Sequence, residues 1–308
     1  MDHKFPPPGK GLTPPPMGPE FVPPKIDARK YKRKWLDVPY ARQSPAQSMD
    51  IYLPEEGDGP FPVILVVHGG AFAFGSKGEV ISEPMVQGIY HGYAVADINY
   101  RLSGEAIFPA QICDCKAAVR FLRANAARYH LDGSRIAAWG PSAGGHLVAM
   151  LGTSAGVKAL EDLALGNPQE SSAVQAVVDW CGPAENFIRM DVEFQESGLG
   201  VADHSAEFSP ESLLLGQKIT EIPERVAFAS PMTYVTPQVP PFFIQHGELD
   251  QVVPVQQSIN LAARIAQVAG PDKVILEVLP GVHHHGDPAF ETAENLGRVF
   301  RFLDEHLK

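Results

Sequence analysis

The sequence is poor in the features that mark several large classes of protein. Only three of its 308 residues are cysteine: Cys113, Cys115 and Cys181. Three cannot build a disulfide framework, and none has metal-ligand company nearby, so each reads as a small buried hydrophobe. Positive charge is scarce too. Against 36 Asp and Glu stand 25 Lys and Arg, a formal net charge of −11. Nucleic acid and anionic membrane both call for a basic face, so neither is expected as a partner. The short cluster Lys30-Tyr31-Lys32-Arg33-Lys34 reads as a solvated edge before the first strand. No run approaches the roughly 20 apolar residues of a membrane-spanning helix, so no membrane span is expected.

The N-terminal MDHKFPPPGKGLTPPPMGPEFVPP also lacks something, the apolar core of a signal peptide. Residues 1–30 read as a loose proline-rich tail, followed by one domain over 31–308. A chain complete as it stands would be cytoplasmic. One from which a signal peptide had been removed would be secreted or periplasmic.

What the sequence does have is alternation. Eight strand patterns run along the chain: 34–41, 47–54, 61–69, 93–102, 135–140, 173–182, 240–247 and 274–281. FPVILVVHG (61–69) is a near-continuous apolar run, as in a strand buried on both faces. Helical spacing appears over 109–129, 255–270 and 288–307. Strand–helix alternation of this length predicts an α/β fold with a doubly wound, mostly parallel sheet. Residues 184–239 are too long for a simple crossover and read as a partly helical insertion or cap. There is no internal repeat.

The stretch GPSAGGHLVAMLGTSAG (140–156) holds the pattern G-x-S-x-G twice. Ser142 follows the strand pattern RIAAWG and precedes a helix pattern. That context suits a nucleophile on a sharp strand-to-helix turn, whose strained backbone excludes side chains two positions away. The helix N-terminus there also favours developing negative charge. Ser154 lies at the far end of the same helix, at the wrong end of the dipole. Its glycines read as helix stop and loop.

An acyl-transfer serine needs N–H groups aimed at the oxyanion. Gly69 and Gly70, just past the FPVILVV strand, and Ala143, directly after the serine, are the candidates. The acid and base should follow in the order serine, acid, histidine. HGELDQVVP (246–254) offers Asp250 as the acid, with Glu248 as the alternative. The last strand runs into His283-His284-His285-Gly286. His285, flanked by glycine, is the expected base and His284 the alternative. No metal is expected at this cluster, because no cysteine or carboxylate constellation completes a site. His68, His146 and His246 read as structural.

With these residues placed, the chain resembles the α/β-hydrolase superfamily. It is most similar to the hormone-sensitive-lipase-like and bacterial feruloyl-esterase-like carboxylesterases. HGGA, NYRL (99–102), GPSAGGH, HGELDQVVP and HHHGDPAF carry the resemblance, in family order over residues 34–307. It implies an eight-stranded α/β-hydrolase fold with Ser142 as nucleophile, Asp250 as acid and His285 as base. Gly69, Gly70 and Ala143 would form the oxyanion hole, and no cofactor is needed. The implied activity is hydrolysis of small to medium carboxylic esters, a small-molecule substrate, with acetyl or feruloyl esters of plant carbohydrate as a narrower expectation. An arylformamidase or amidase on the same triad is the alternative, and a non-catalytic binding protein on this scaffold a weaker one. Two features depart from the family pattern. Ala71 stands where a third glycine is common, and three histidines stand where one is usual.

Ser142→Ala is expected to abolish hydrolysis of p-nitrophenyl acetate while leaving the circular dichroism spectrum unchanged. Ser154→Ala should keep most of the activity, and the reverse pattern would show that the wrong serine was chosen.

Overall fold

The computed structural model describes residues 23–308. Most of the expected tail therefore lies outside the described residues. Residues 23–30, assigned to that tail on sequence grounds, instead lie against the body. Lys25 bridges Glu79, and Ile26 is buried with its N–H on the Gly78 carbonyl at 2.8 Å.

Eight strands form one sheet: β1 (Lys34–Pro39), β2 (Ser48–Tyr52), β3 (Phe61–Val67), β4 (Ala94–Ile98), β5 (Leu131–Pro141), β6 (Ala176–Trp180), β7 (Phe242–Gly247) and β8 (Val274–Leu279). Their order is β1-β2-β4-β3-β5-β6-β7-β8. β2 pairs antiparallel with both its neighbours, and every other pairing is parallel. The sheet is thus mostly parallel, as expected.

The helices are α1 (Glu83–Val86), α2 (Ala110–Ala124), α3 (Ala143–Thr153), α4 (Phe187–Ser197), α5 (Pro210–Leu215), α6 (Pro223–Ala229), α7 (Val255–Ala269) and α8 (Ala293–Leu307). Every residue of β3 is buried, and its side chains alternate between two apolar layers. Val63, Leu65 and Val67 join Ile112, Leu147 and Leu261 of α2, α3 and α7 on one face. Ile64 and Val66 join Met85, Val299 and Leu303 of α1 and α8 on the other. This double burial is why the β3 sequence is unbroken apolar rather than alternating.

Chain order fixes where a site can form. From β3 the chain moves to one side of the sheet (β4) and later returns to the other (β5). The carboxyl ends of β3 and β5 therefore border a crevice left by diverging connections, the usual place for a ligand in such sheets. Gly69 and Ser142 follow those two ends.

The 184–239 segment is partly helical, carrying α4, α5 and α6, and is tied back to the body. Gln257 of α7 accepts the Glu185 N–H at 2.9 Å and donates to Glu193 at 2.8 Å. The Leu214 carbonyl accepts the Phe108 N–H at 2.9 Å.

Ser154 is structural. It is buried, its hydroxyl donates to the Met150 carbonyl at 2.5 Å, and its own carbonyl accepts from buried Lys116 at 2.7 Å. Gly152 differs from the expected helix stop, since it lies inside α3. A β-carbon there would come within 2.6 Å of both Phe242 and Val177. It is glycine because the helix rests directly on the sheet.

One buried acid strains this sheet. Asp97 on β4 is fully buried opposite Asp50 on β2. One carboxylate oxygen accepts the Gly78 N–H at 2.7 Å, and the other has no partner. Burial, reinforced by Asp50, pushes its pKa up to about 7. An unfolded aspartate titrates near ~3.9. Between those values the native state keeps a proton that the unfolded state has lost, so stability falls as pH rises across the window, by up to about 1.4 kcal/mol per pH unit. Asp97→Asn keeps an acceptor for Gly78 and removes this slope. The melting temperature of the variant, relative to wild type, should rise between pH 5 and pH 8. A pH-independent difference would refute the assignment.

Candidate active site

β5 ends at Pro141 and α3 begins at Ala143, so the chain reverses from strand to helix at a single residue, Ser142. Its backbone sits at φ 55°, ψ −122°, a region costly for a residue with a side chain and occupied mainly where surroundings enforce it. Two hydrogen bonds enforce it here. The Ser142 N–H donates to the Trp180 carbonyl at 2.7 Å, and its carbonyl accepts from the His146 N–H at 2.9 Å. The flanking glycines are required by contact. A β-carbon on Gly144 would lie 2.0 Å from the Val67 carbonyl oxygen, and one on Gly140 2.6 Å from the Gly144 backbone.

Across the crevice, Gly69 and Gly70 begin a tightly wound loop. The Gly70 carbonyl accepts from the N–H groups of Ala73 and Phe74, both at 3.0 Å, and Gly70 itself has φ 110°. Ala71 and Phe72 follow with φ of 50° and 61°. Ala71 thus takes a left-handed conformation, uncommon for a residue that carries a β-carbon. A β-carbon on Gly69 would meet Ser142 Cβ at 3.4 Å and His285 Nε2 at 3.3 Å. Those two groups and Gly69 therefore border one small space, with Ala143 at the start of α3 beside it.

Asp250 is buried in the loop after β7. One oxygen accepts the N–H groups of Val252 and Val253 at 2.8 and 2.9 Å. The other lies 2.6 Å from His284 Nδ1 and 3.2 Å from His246 Nε2. Burial alone would raise the carboxyl pKa, but the hydrogen bonds from His246 and His284 outweigh it and hold the group well below the usual carboxylate range. Asp250 does not cap α7, whose N-cap is Pro254. Glu248, the alternative acid, is exposed and accepts the Gly281 N–H at 2.9 Å, so it braces a turn instead.

The histidines divide differently from the expectation. Asp250 bonds His284, the alternative, and neither of its oxygens bonds His285. The loop geometry gives the reason. Leu249 N–H on the Val282 carbonyl and Asp287 N–H on the His284 carbonyl hold a turn whose successive side chains project to different sides. His284 falls toward Asp250, and His285 carries its Nε2 to the Gly69 side of the crevice. His283 is turned away, with Nδ1 on the Leu249 carbonyl at 3.1 Å. Burial, with the neighbouring His284, lowers the His285 pKa to about 3 and keeps its ring neutral.

Two neighbours of the site escaped the sequence reading. His246 read as structural, yet its Nε2 also reaches Asp250. Its position four residues ahead of the acid was the available signal. Cys181 directly follows β6 at φ 53°, and the backbone N–H groups of Gly247 and His285 lie near its sulfur. Cys181 Sγ, an Asp250 oxygen and a His284 nitrogen lie within 4.8 Å of one another. With His284 already 2.6 Å from Asp250, this is the spacing of a hydrogen-bonded pair beside a thiol. His68 and His146 are held structurally, on the carbonyls of Gly69 and Pro183, each at 2.7 Å.

A family model described as BD-FAE matches residues 49–265. The chain belongs to the BD-FAE family. Among similar proteins, the esterase LipQ of Mycobacterium tuberculosis is 32% identical over 85% of this chain and 59% of its own length. The esterase LipC of the same organism is 32% identical over 87% and 64%. The chain thus spans about three fifths of these curated relatives. A solved structure titled as a truncated form of a carbohydrate esterase from gut microbiota is 33% identical, with TM-score 0.80 over 92% of this chain and 99% of that one. As a BD-FAE chain, the protein shares the α/β-hydrolase fold of these neighbours.

The close approach of α3 to β3 gives a test. Gly144→Ala should cost more than about 3 kcal/mol or prevent folding, because backbone cannot move aside. Gly297→Ala, in α8 where the nearest atom is a flexible arginine tip, should stabilise by up to about 1 kcal/mol. Denaturant titration of both compares them directly.

Proposed function

We propose that the protein is a serine carboxylesterase acting through an acyl-enzyme. The observation that carries this is the strained Ser142 elbow, which shares one small space with Gly69 and the Nε2 of a neutral histidine. In this reading His285 takes the proton from the Ser142 hydroxyl as its oxygen attacks an ester carbonyl. The N–H groups of Gly69, Gly70 and Ala143 hold the oxyanion. The proton passes to the departing alkoxide, leaving acyl-Ser142 and an alcohol. Water then attacks the acyl carbon and gives its proton to His285; the bond to the Ser142 oxygen breaks, the acid leaves, and His285 returns the proton to that oxygen. Ionised Asp250 stabilises the positive charge on the histidine side.

The substrate class follows from two supports. LipQ and LipC are named esterases, and the neighbour covering nearly all of this chain is titled a carbohydrate esterase. A small acyl group, such as acetyl, on a carbohydrate hydroxyl fits both.

Hydrolysis of p-nitrophenyl acetate, butyrate and octanoate tests the reading. We expect kcat/KM to be highest for acetate or butyrate. Asp250→Asn should lower kcat by about 100-fold or more, as loss of an orienting acid does elsewhere. A folded wild type inactive on all three esters but active on an aryl formamide would replace the ester assignment with an amidase.

A further inference from the structure

The peptide between Gly69 and Gly70 has little of its own to hold it. Neither residue carries a β-carbon, so turning that peptide over meets less steric resistance than between any other pair of residues. Its orientation decides what is presented to the space that Gly69 borders with Ser142. Among the described residues the N–H groups of Gly69, Gly70 and Ala143 have no acceptor, and Gly69 and Ala143 are buried. Buried N–H groups without a partner are rare in native proteins, and such donors at one crevice suit an anion.

The Gly69 carbonyl lies 2.7 Å from His68 Nδ1. His68 is buried, and burial lowers its pKa to about 4, so the ring is neutral and has one proton. A carbonyl only accepts, which puts that proton on Nδ1. The ring is itself clamped. It stacks on Tyr100, with centroids 4.4 Å apart and planes 14° from parallel, and the Tyr100 hydroxyl donates to the His68 carbonyl at 3.1 Å. Gly75 leaves room for the bond, since a β-carbon there would lie 2.8 Å from the Gly69 carbonyl oxygen and 2.9 Å from His68 Nδ1.

We infer that His68 is a positioning residue for the oxyanion hole, whose Nδ1–H holds the Gly69 carbonyl and thereby turns the Gly70 N–H toward the oxyanion. The inference rests on the reading of Gly69, Gly70 and Ala143 as oxyanion donors. The Gly69–Gly70 peptide is trans, so its C=O and N–H point in opposite directions. Fixing the carbonyl on His68 therefore aims the N–H the other way. Without that bond the peptide can turn over, and the carbonyl oxygen would stand where the N–H had been. A developing oxyanion would then meet a lone pair instead of a donor. The loss falls on the transition state, because an ester carbonyl carries little negative charge before attack. Two glycines let the backbone come close to the reacting carbonyl, and His68 supplies the rigidity that they lack.

The test is steady-state hydrolysis of p-nitrophenyl acetate by the full chain and four variants, with melting curves to confirm folding. His68→Phe keeps a flat ring against Tyr100 and removes the donor. Its kcat should fall about 10- to 100-fold, with KM changed less than about twofold. His68→Asn gives up the ring but carries an amide N–H near the former Nδ1, and should be at least about fivefold faster than the phenylalanine variant. Inhibition by a trifluoromethyl ketone, which binds the serine as a tetrahedral oxyanion, should weaken in His68→Phe by the same factor as kcat/KM. Gly75→Ala, whose β-carbon would crowd the same hydrogen bond, should also lower kcat more than it changes KM. If His68→Phe fails to fold, an unchanged kcat in Gly75→Ala would overturn the inference. In a folded His68→Phe, a wild-type kcat, a loss confined to KM, or a rate that His68→Asn does not exceed would overturn it and leave the esterase reading standing. Activity in Ser142→Ala would sink the esterase reading itself, and this inference with it.

Discussion

The site depends on how closely the first turn of α3 approaches the end of β3. Gly144 lies so near the carbonyl oxygens of Val67 and His68 that no β-carbon fits between them. This contact lets the chain pass from β5 into a helix through one residue. It also places the helix N-terminus beside the loop that leaves β3. Had α3 stood off by the width of a methyl group, Ser142 and Gly69 would not border the same space. The strain at Ser142 is held by hydrogen bonds on both sides of its peptide units, a rigid way to present one hydroxyl.

A second constraint acts on the acid. A buried carboxylate is stable as an anion only where donors replace water. Asp250 has two backbone N–H groups on one oxygen and two imidazoles at the other. The backbone donors come from its own loop, two and three residues on, so the loop folds around its own charge. The histidines come from β7 and from the turn after β8. Strand ends that are distant in sequence are thereby joined through one side chain. The insertion contributes through α4 and its tie to Gln257 of α7, the helix that follows this loop.

Much of this was legible without coordinates. The unbroken apolar run of β3 required burial on both faces, and strand–helix alternation required a mostly parallel sheet. Ser142 was separable from Ser154 because only one follows a strand and opens a helix. The glycines around Ser142 had a reason that local geometry supplies. These inferences hold because each depends on neighbours within a few residues, where periodicity and backbone sterics act directly.

The histidine tandem was not legible in that way. Three consecutive histidines have nothing in their order to say which ring meets Asp250, since the direction of each side chain in a turn is fixed by hydrogen bonds to a loop more than thirty residues away. The same is true of His246 and Cys181, whose nearness to the acid arises only when β6, β7 and the final turn come together. Gly152 looked like a helix stop because the sequence does not show that Phe242 lies beneath it. The sequence by itself determined the kinds of element, the sheet and the place of Ser142 between a strand and a helix, because those follow from local sterics and burial. The tertiary structure decided which histidine holds the acid, because that depends on contacts between segments far apart along the chain.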